Sequence, residues 1–138
     1  MGRFAGLWTY GGAASLALTT APVPMTLWTL ASDGPGVDAS LADDGLHIKV
    51  PGFYAAYATM SFTADAGETI YAELRVNGLT GSGFRISAEG IASGGTVSML
   101  VMGAANLNVG DVVQVYVYSD NVATTFTLVD GQFGVFGL

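Results

Sequence analysis

The chain has 138 residues, of which 51% are hydrophobic and 11% charged, with 11 acidic against 4 basic side chains, no cysteine and a net charge of −7. Nucleic-acid binding is disfavoured, because Arg3, Lys49, Arg75 and Arg85 are too few and too scattered to make a cationic footprint. The absence of thiols excludes a disulfide framework and thiolate metal sites.

The length fits one domain. An ordinary soluble domain carries about 25% charged residues, so this chain is expected to bury apolar surface beyond its own core. No run approaches the roughly 20 apolar residues of a transmembrane helix. The most apolar stretches, such as Gly52 to Phe62 and Val97 to Gly103, are short and bounded by Gly, Asp or Pro. A membrane barrel would alternate apolar with polar lumen residues over longer segments, whereas several segments here are apolar on both faces. Burial against further protein is the expectation that remains. At the N-terminus a secretory signal would need a cleaner apolar run than one broken by Thr9, Tyr10, Gly11, Gly12 and Ser15. Gly6 stands where a myristoylation signal wants Ser or Thr.

In chain order, β-branched and aromatic runs separated by Gly and Pro predict an all-β domain. Weak strands are expected at Gly6 to Tyr10 and Ser15 to Leu18. A better one at Met25 to Leu30 is entered through Pro22-Val23-Pro24. The Asp33-Gly34-Pro35-Gly36 turn leads to Val37 to Leu41, and the Ala42-Asp43-Asp44-Gly45 turn to Leu46 to Val50. Then follow Phe53 to Thr63, Thr69 to Asn77, Phe84 to Glu89, Thr96 to Met102, Val112 to Ser119, Thr124 to Val129 and Gln132 to Phe136. This number of short strands suits a jelly roll better than a seven-stranded immunoglobulin sandwich. Residues 1–32 hold one charge, Arg3, and are expected to act as a charge-poor arm with the first strands, ahead of a jelly-roll domain at 33–138. In Val112 to Ser119, Val113, Val115 and Val117 share one face and Val112, Gln114, Tyr116 and Tyr118 the other; one face can fill a core, and the other then needs a neighbour.

Gly52-Phe53-Tyr54-Ala55-Ala56-Tyr57, continued to Phe62, resembles the G-x-Y-x-x-Y-x-x-x-x-F strand of tumour-necrosis-factor-like and complement-head-like jelly rolls. Leu107-Asn108-Val109-Gly110-Asp111-Val112 is similar to the L-x-x-G-D-x segment leading into their trimer-lining strand. Phe133-Gly134-Val135-Phe136-Gly137-Leu138 resembles their closing strand, which ends beside the first. Leu74-Arg75-Val76-Asn77-Gly78 matches an L-x-V-N-G turn frequent in bacterial and phage members. The resemblance covers residues 45–138. It implies a ten-stranded antiparallel jelly-roll sandwich assembled as a trimer, with aromatic residues about the threefold axis. Tyr54, Tyr57, Tyr116, Tyr118, Phe133 and Phe136 are the candidates for that contact, with ordinary sandwich core as the alternative for each.

Residues suited to catalysis are sparse. His47 is the single histidine, with Lys49 on the same face, and no G-x-S-x-G elbow accompanies it. Asp43-Asp44 before Gly45 suits a polar turn, with a hard-cation site as the alternative; Asp33 and Asp38 divide the same way. Glu68, Glu73 and Glu89 are placed to make cross-strand ion pairs with Arg75 and Arg85. Gly78 to Gly83 lacks the Lys-Ser/Thr of a phosphate loop. Trp8 and Trp28 suit core or interface anchors, with sugar stacking as the alternative. No enzyme, cofactor, metal, nucleic-acid or membrane role is expected. The family resemblance, the lack of a stalk or collagen-like repeat and the uncharged arm together suggest a homotrimeric decoration (cement) protein on the outer capsid surface of a bacteriophage virion. The major capsid protein or another virion protein would be its partner, contacted through Arg3, Phe4, Leu7, Trp8 and Tyr10. The alternative is a receptor- or glycan-binding head of a phage fibre.

Overall fold

Period-two alternation builds the molecule. In the computed structural model, which describes residues 4–79, 87–121 and 123–138, every strand long enough to show a pattern sends one set of side chains between two sheets. The strands are β1 (Phe4–Thr9), β2 (Ser15–Leu18), β3 (Val23–Pro24), β4 (Leu30–Ser32), β5 (Val37–Ser40), β6 (Gly45–Ile48), β7 (Gly52–Thr63), β8 (Thr69–Val76), β9 (Ser87–Ile91), β10 (Val97–Leu107), β11 (Val112–Ser119) and β12 (Thr124–Gly137). Among the described residues there is no helix long and apolar enough to cross a membrane.

Sheet A runs β10-β7-β12-β1-β4, with β2 also on β12; sheet B runs β5-β6-β11-β8-β9, with β3 also on β11. All pairs are antiparallel, and the two six-stranded sheets form a jelly-roll sandwich. Its core contains Leu7, Tyr54, Phe62, Phe126 and Phe133 from sheet A against Leu46, Ile48, Ile70, Val113, Val115 and Val117 from sheet B. Phe62 and Phe126 stack at 5.1 Å between centroids, an arrangement that adds roughly 1 kcal/mol to the burial of the rings themselves.

Three differences from the sequence expectation have physical causes. The expected strand at Met25 to Leu30 is instead a crossing between sheets. Met25 N donates to Val115 O in sheet B at 2.8 Å, and Thr29 N donates to Trp8 O in sheet A at 3.1 Å. Between those ends Met25 and Trp28 drop into the core. The two expected C-terminal strands are one, because Asp130-Gly131 forms a bulge and not a turn. Leu128 pairs with Phe62 and Asp130 with Ser61, so β12 advances two residues for one on β7 and the ladder continues.

The third difference is the arm. Phe4–Thr9 is a full interior strand, paired with β12 from Phe4↔Phe136 to Thr9↔Gly131 and with β4 on its other side. Ala5, Leu7 and Thr9 are buried. The first strand therefore belongs to the jelly roll itself, lying beside the closing strand as the resemblance implied.

Two of the sequence motifs meet in space. Asn77, in the left-handed region at φ 55°, accepts from Val112 N through Oδ1 at 2.9 Å and donates from Nδ2 to Asp111 Oδ1 at 3.0 Å. Its own N–H donates to Val112 O at 2.8 Å. Asp111 Oδ2 in turn accepts from Asn108 N at 2.8 Å. The Asn of L-x-V-N-G and the Asp of L-x-x-G-D thus lock the start of β11 against the end of β8, and amide and carboxylate side chains supply what strand ends leave unpaired.

Candidate functional site, the outer face of sheet A

The second set of side chains on sheet A faces away from the core, and the register orders them into rows. One row runs Phe4–Phe136–Ala55–Ala104 from β1 through β12 and β7 to β10. The next runs Gly6–Gly134–Tyr57–Met102, and the third Trp8–Gln132–Thr59–Leu100. Among these outward positions on β1, β7, β10 and β12, Asp130 is the one charged residue; the other ten acids lie elsewhere.

The glycines of the second row make the surface flat enough for aromatic rings to lie on it. A Cβ at Gly134 would stand 2.9 Å from both Phe4 Cε2 and Tyr57 Cε1, so the two rings close over this position and any side chain would lift them. Around that patch Leu100 and Met102 are each 53% exposed, and Phe4 and Phe53 are 41% exposed. Burial pushes the Tyr57 phenol above its ordinary value, and the neighbouring Tyr10 adds to the shift. The patch ends at β10, an edge strand of 11 residues with no proline and no charge. Edge strands of soluble proteins usually carry such guards, so both the face and its margin lack the features that keep a sheet from meeting another protein.

The residues expected at a threefold contact divide three ways. Tyr57 and Phe136 lie on this outer face. Tyr54 and Phe133 are fully buried in the sandwich; the Tyr54 hydroxyl donates to Val50 O at 2.6 Å, and Phe133 packs 6.0 Å from Trp28. These two are core, because they fall on the inward phase of their strands. Tyr116 and Tyr118 lie on the outer face of sheet B, on the opposite side of the molecule. No single patch can hold all six.

The residues expected on a docking arm divide similarly. Phe4, Trp8 and Tyr10 join the outer face of sheet A, while Leu7 is core and unavailable to a partner. Arg3 lies outside the described residues, as does Arg85. Alternation could have separated Leu7 from Phe4 and Trp8, had β1 been read as an interior strand.

Sheet B covers its own outward aromatics. Tyr71 and Tyr118 stack at 4.9 Å, and the Arg75 guanidinium sits 4.4 Å above the Tyr116 ring. Arg75 also pairs with Glu73 on the same strand and donates to Gly78 O at 3.2 Å. The pair runs along β8 and not across strands, and both side chains are largely shielded. Burial raises the Tyr118 phenol, helped by Glu73 and Tyr71 and opposed by Arg75. The aromatic second face of β11 therefore finds its neighbours within the protomer.

The remaining candidates are structural in their contacts. His47 Nε2 lies 2.8 Å from Asp43 Oδ2, and Asp43 Oδ1 accepts from Gly45 N at 3.1 Å, the geometry of a polar turn. Asp33 Oδ1 accepts from Ala39 N at 2.7 Å, and Asp38 faces Lys49 across 3.7 Å. Glu68 accepts from Asn121 Nδ2 at 3.2 Å. Among the described residues no group of three or more His, Asp or Glu side chains could hold a metal ion. Trp28 is 5% exposed and anchors the core.

No protein-family model and no curated protein sequence matches the chain. Solved structures do. Eiger TNF from S. frugiperda superposes with a TM-score of 0.68 at 14% identity, covering 99% of this chain and 93% of that one. The globular domain of zebrafish complement 1qA protein gives 0.64 at 17% identity, covering 100% and 98%. Murine APRIL, in a crystal structure at pH 5.0, gives 0.63 at 16% identity, covering 100% of each. The chain is thus an all-β sandwich, and more particularly a jelly roll of the tumour-necrosis-factor and complement-head type over its whole length.

Proposed function

We propose that the protein is a non-catalytic structural jelly roll that assembles as a homotrimer through the outer face of sheet A and serves as a decoration protein on the outer capsid of a bacteriophage. The observation that carries the assembly is the uncharged aromatic face formed by Phe4, Trp8, Tyr57, Phe136 and Met102, continued to the unguarded β10 edge. An apolar patch of this kind marks a protein contact. The likeness in fold to tumour-necrosis-factor and complement heads supports three copies. The L-x-V-N-G turn, whose Asn77 ties β8 to β11, supports a bacterial or phage setting. With the aromatic end of the sheet A face committed to self-assembly, the trimer would act by shape and area.

Size-exclusion chromatography with light scattering tests the assembly. The full chain should run at three times its 14.1 kDa mass, and Met102→Glu should run as a monomer with its fold intact, since Met102 is half exposed. A trimeric Met102→Glu variant would move the contact off this face. Co-sedimentation with mature phage capsids, scored with the capsids' resistance to heat, tests the decoration role; a trimer that neither binds nor protects capsids would remove it.

A further inference from the structure

The outer face of sheet A changes character along its strands. Near Phe53 and Phe136 it is aromatic, but toward the Leu128/Asp130 bulge it turns to hydroxyl and amide groups. There a shallow depression of about 470 Å³ is lined by Tyr10, Thr59, Ser61, Ser98, Asp130 and Gln132, with Leu100 at its side. Small-molecule sites span roughly 300–1,000 Å³.

The polar groups here have capacity to spare. Asp130 is aimed by the bulge and held by Gly11 N, which donates to Oδ1 at 2.8 Å, while Oδ2 accepts no hydrogen bond from any described residue. Gln132, Thr59 and Tyr10 make no side-chain hydrogen bond to any described residue. Ser61 Oγ and Ser98 Oγ lie 2.9 Å apart, and one bond between two hydroxyls leaves one hydrogen free to donate outward. Donors and acceptors therefore converge beside the apolar Leu100 side chain and the Tyr10 ring, which is 69% exposed. The lining contains no Lys or Arg, and its one charge is negative.

We propose that this depression is a binding site for a neutral saccharide. A sugar ring presents hydroxyls that both donate and accept, together with C–H faces that pack on an aromatic ring, and this matches the mixture present. An anionic ligand would meet Asp130 with no compensating cation. The site stands whatever particle the protein belongs to, and it differs from the assembly contact in lying at the polar end of the face.

A glycan array followed by calorimetric titration of the full chain tests it. Neutral glycans should bind, uronate- and sialate-containing ones should bind at least about tenfold more weakly, and Tyr10→Ala and Gln132→Ala should each weaken binding about tenfold. Thermal midpoint and light-scattering mass of both variants should match the unmodified protein. Failure of every neutral glycan to bind overturns the proposal, as does binding that both substitutions leave unchanged. Binding by a monomeric Met102→Glu variant but not by the unmodified protein would also overturn it, by showing that self-assembly covers the depression. Saccharide binding with no trimer would instead sink only the assembly.

Discussion

Asp44 offers a quantitative test of the sheet B side of the molecule. It ends the turn between β5 and β6 in the left-handed region, at φ 53°. It is 8% exposed, and its carboxylate accepts no hydrogen bond from any described residue, unlike that of its neighbour Asp43. Burial first, and the charge of Asp43 second, push its carboxyl up from 3.8 to about 6. The folded chain therefore keeps this proton to a higher pH than the unfolded chain does. The resulting stability is fully present below about pH 4 and is lost as pH rises through about 6. An upper bound of about 3 kcal/mol follows from 1.36 kcal/mol per pH interval, and solvent screening around the exposed Asp43 reduces it to roughly 1–2.

Asn at this position keeps the shape, tolerates a left-handed backbone better than other non-glycine residues, and cannot ionise. Urea unfolding of the unmodified protein and Asp44→Asn, at one matched chain concentration so that assembly contributes equally, should give equal stabilities near pH 3.5. By pH 7.5 Asp44→Asn should be the more stable by about 1–2 kcal/mol. Carboxylates that do not couple to Asp44 contribute equally to both proteins and cancel, so the difference reports the burial of Asp44 together with its repulsion by Asp43. A difference that stays constant from pH 3.5 to 7.5 would refute the buried, unpaired carboxylate as its source.

Two further outcomes follow from contacts elsewhere. Arg75→Met should cost about 3 kcal/mol in thermal or urea unfolding, because it strands the shielded Glu73 and the Gly78 carbonyl, and adding Glu73→Leu should recover most of the loss; a double variant as unstable as the single one would mean that packing on Tyr116 dominates. Deleting residues 1–9 should leave the chain insoluble, since it removes the strand between β12 and β4 and with it buried Ala5, Leu7 and Thr9; recovery of a folded, soluble protein would show that sheet A closes without β1.

Alternation and turn chemistry made most of the fold legible from sequence. Val113, Val115 and Val117 could be assigned together to the core because a strand has only two faces. The motifs around Asn77 and Asp111 marked the ends of β8 and β11 because side chains there complete the backbone hydrogen bonding. Where both faces of a strand are apolar, however, periodicity names two sets without saying which one is inside. Tyr54 and Tyr57, three residues apart, therefore look alike in the sequence although they point to opposite sides of sheet A. The bulge at Asp130 imitated a turn because both use the same Asp-Gly chemistry. Met25 to Leu30 imitated a strand because a chain crossing between sheets buries apolar residues just as a strand does.

The candidate face itself was not visible in any window of sequence. Its rows combine residues such as Phe4, Phe136, Ala55 and Ala104, which the topology brings together from opposite ends and the middle of the chain. Composition shows only that apolar surface is in excess. Strand order decides where the excess collects, and the two sheets treat it differently. Sheet B covers its outward tyrosines with one another and with the Arg75–Glu73 pair. Sheet A has no such pair among its outward side chains and sets glycines at positions 6 and 134, with the Phe4 ring against both and the Tyr57 ring against Gly134. On that glycine-levelled face Phe4 and Phe53 stay 41% exposed, and its one acid, Asp130, stands at the far end from Phe53, among the hydroxyl and amide groups beside Tyr10.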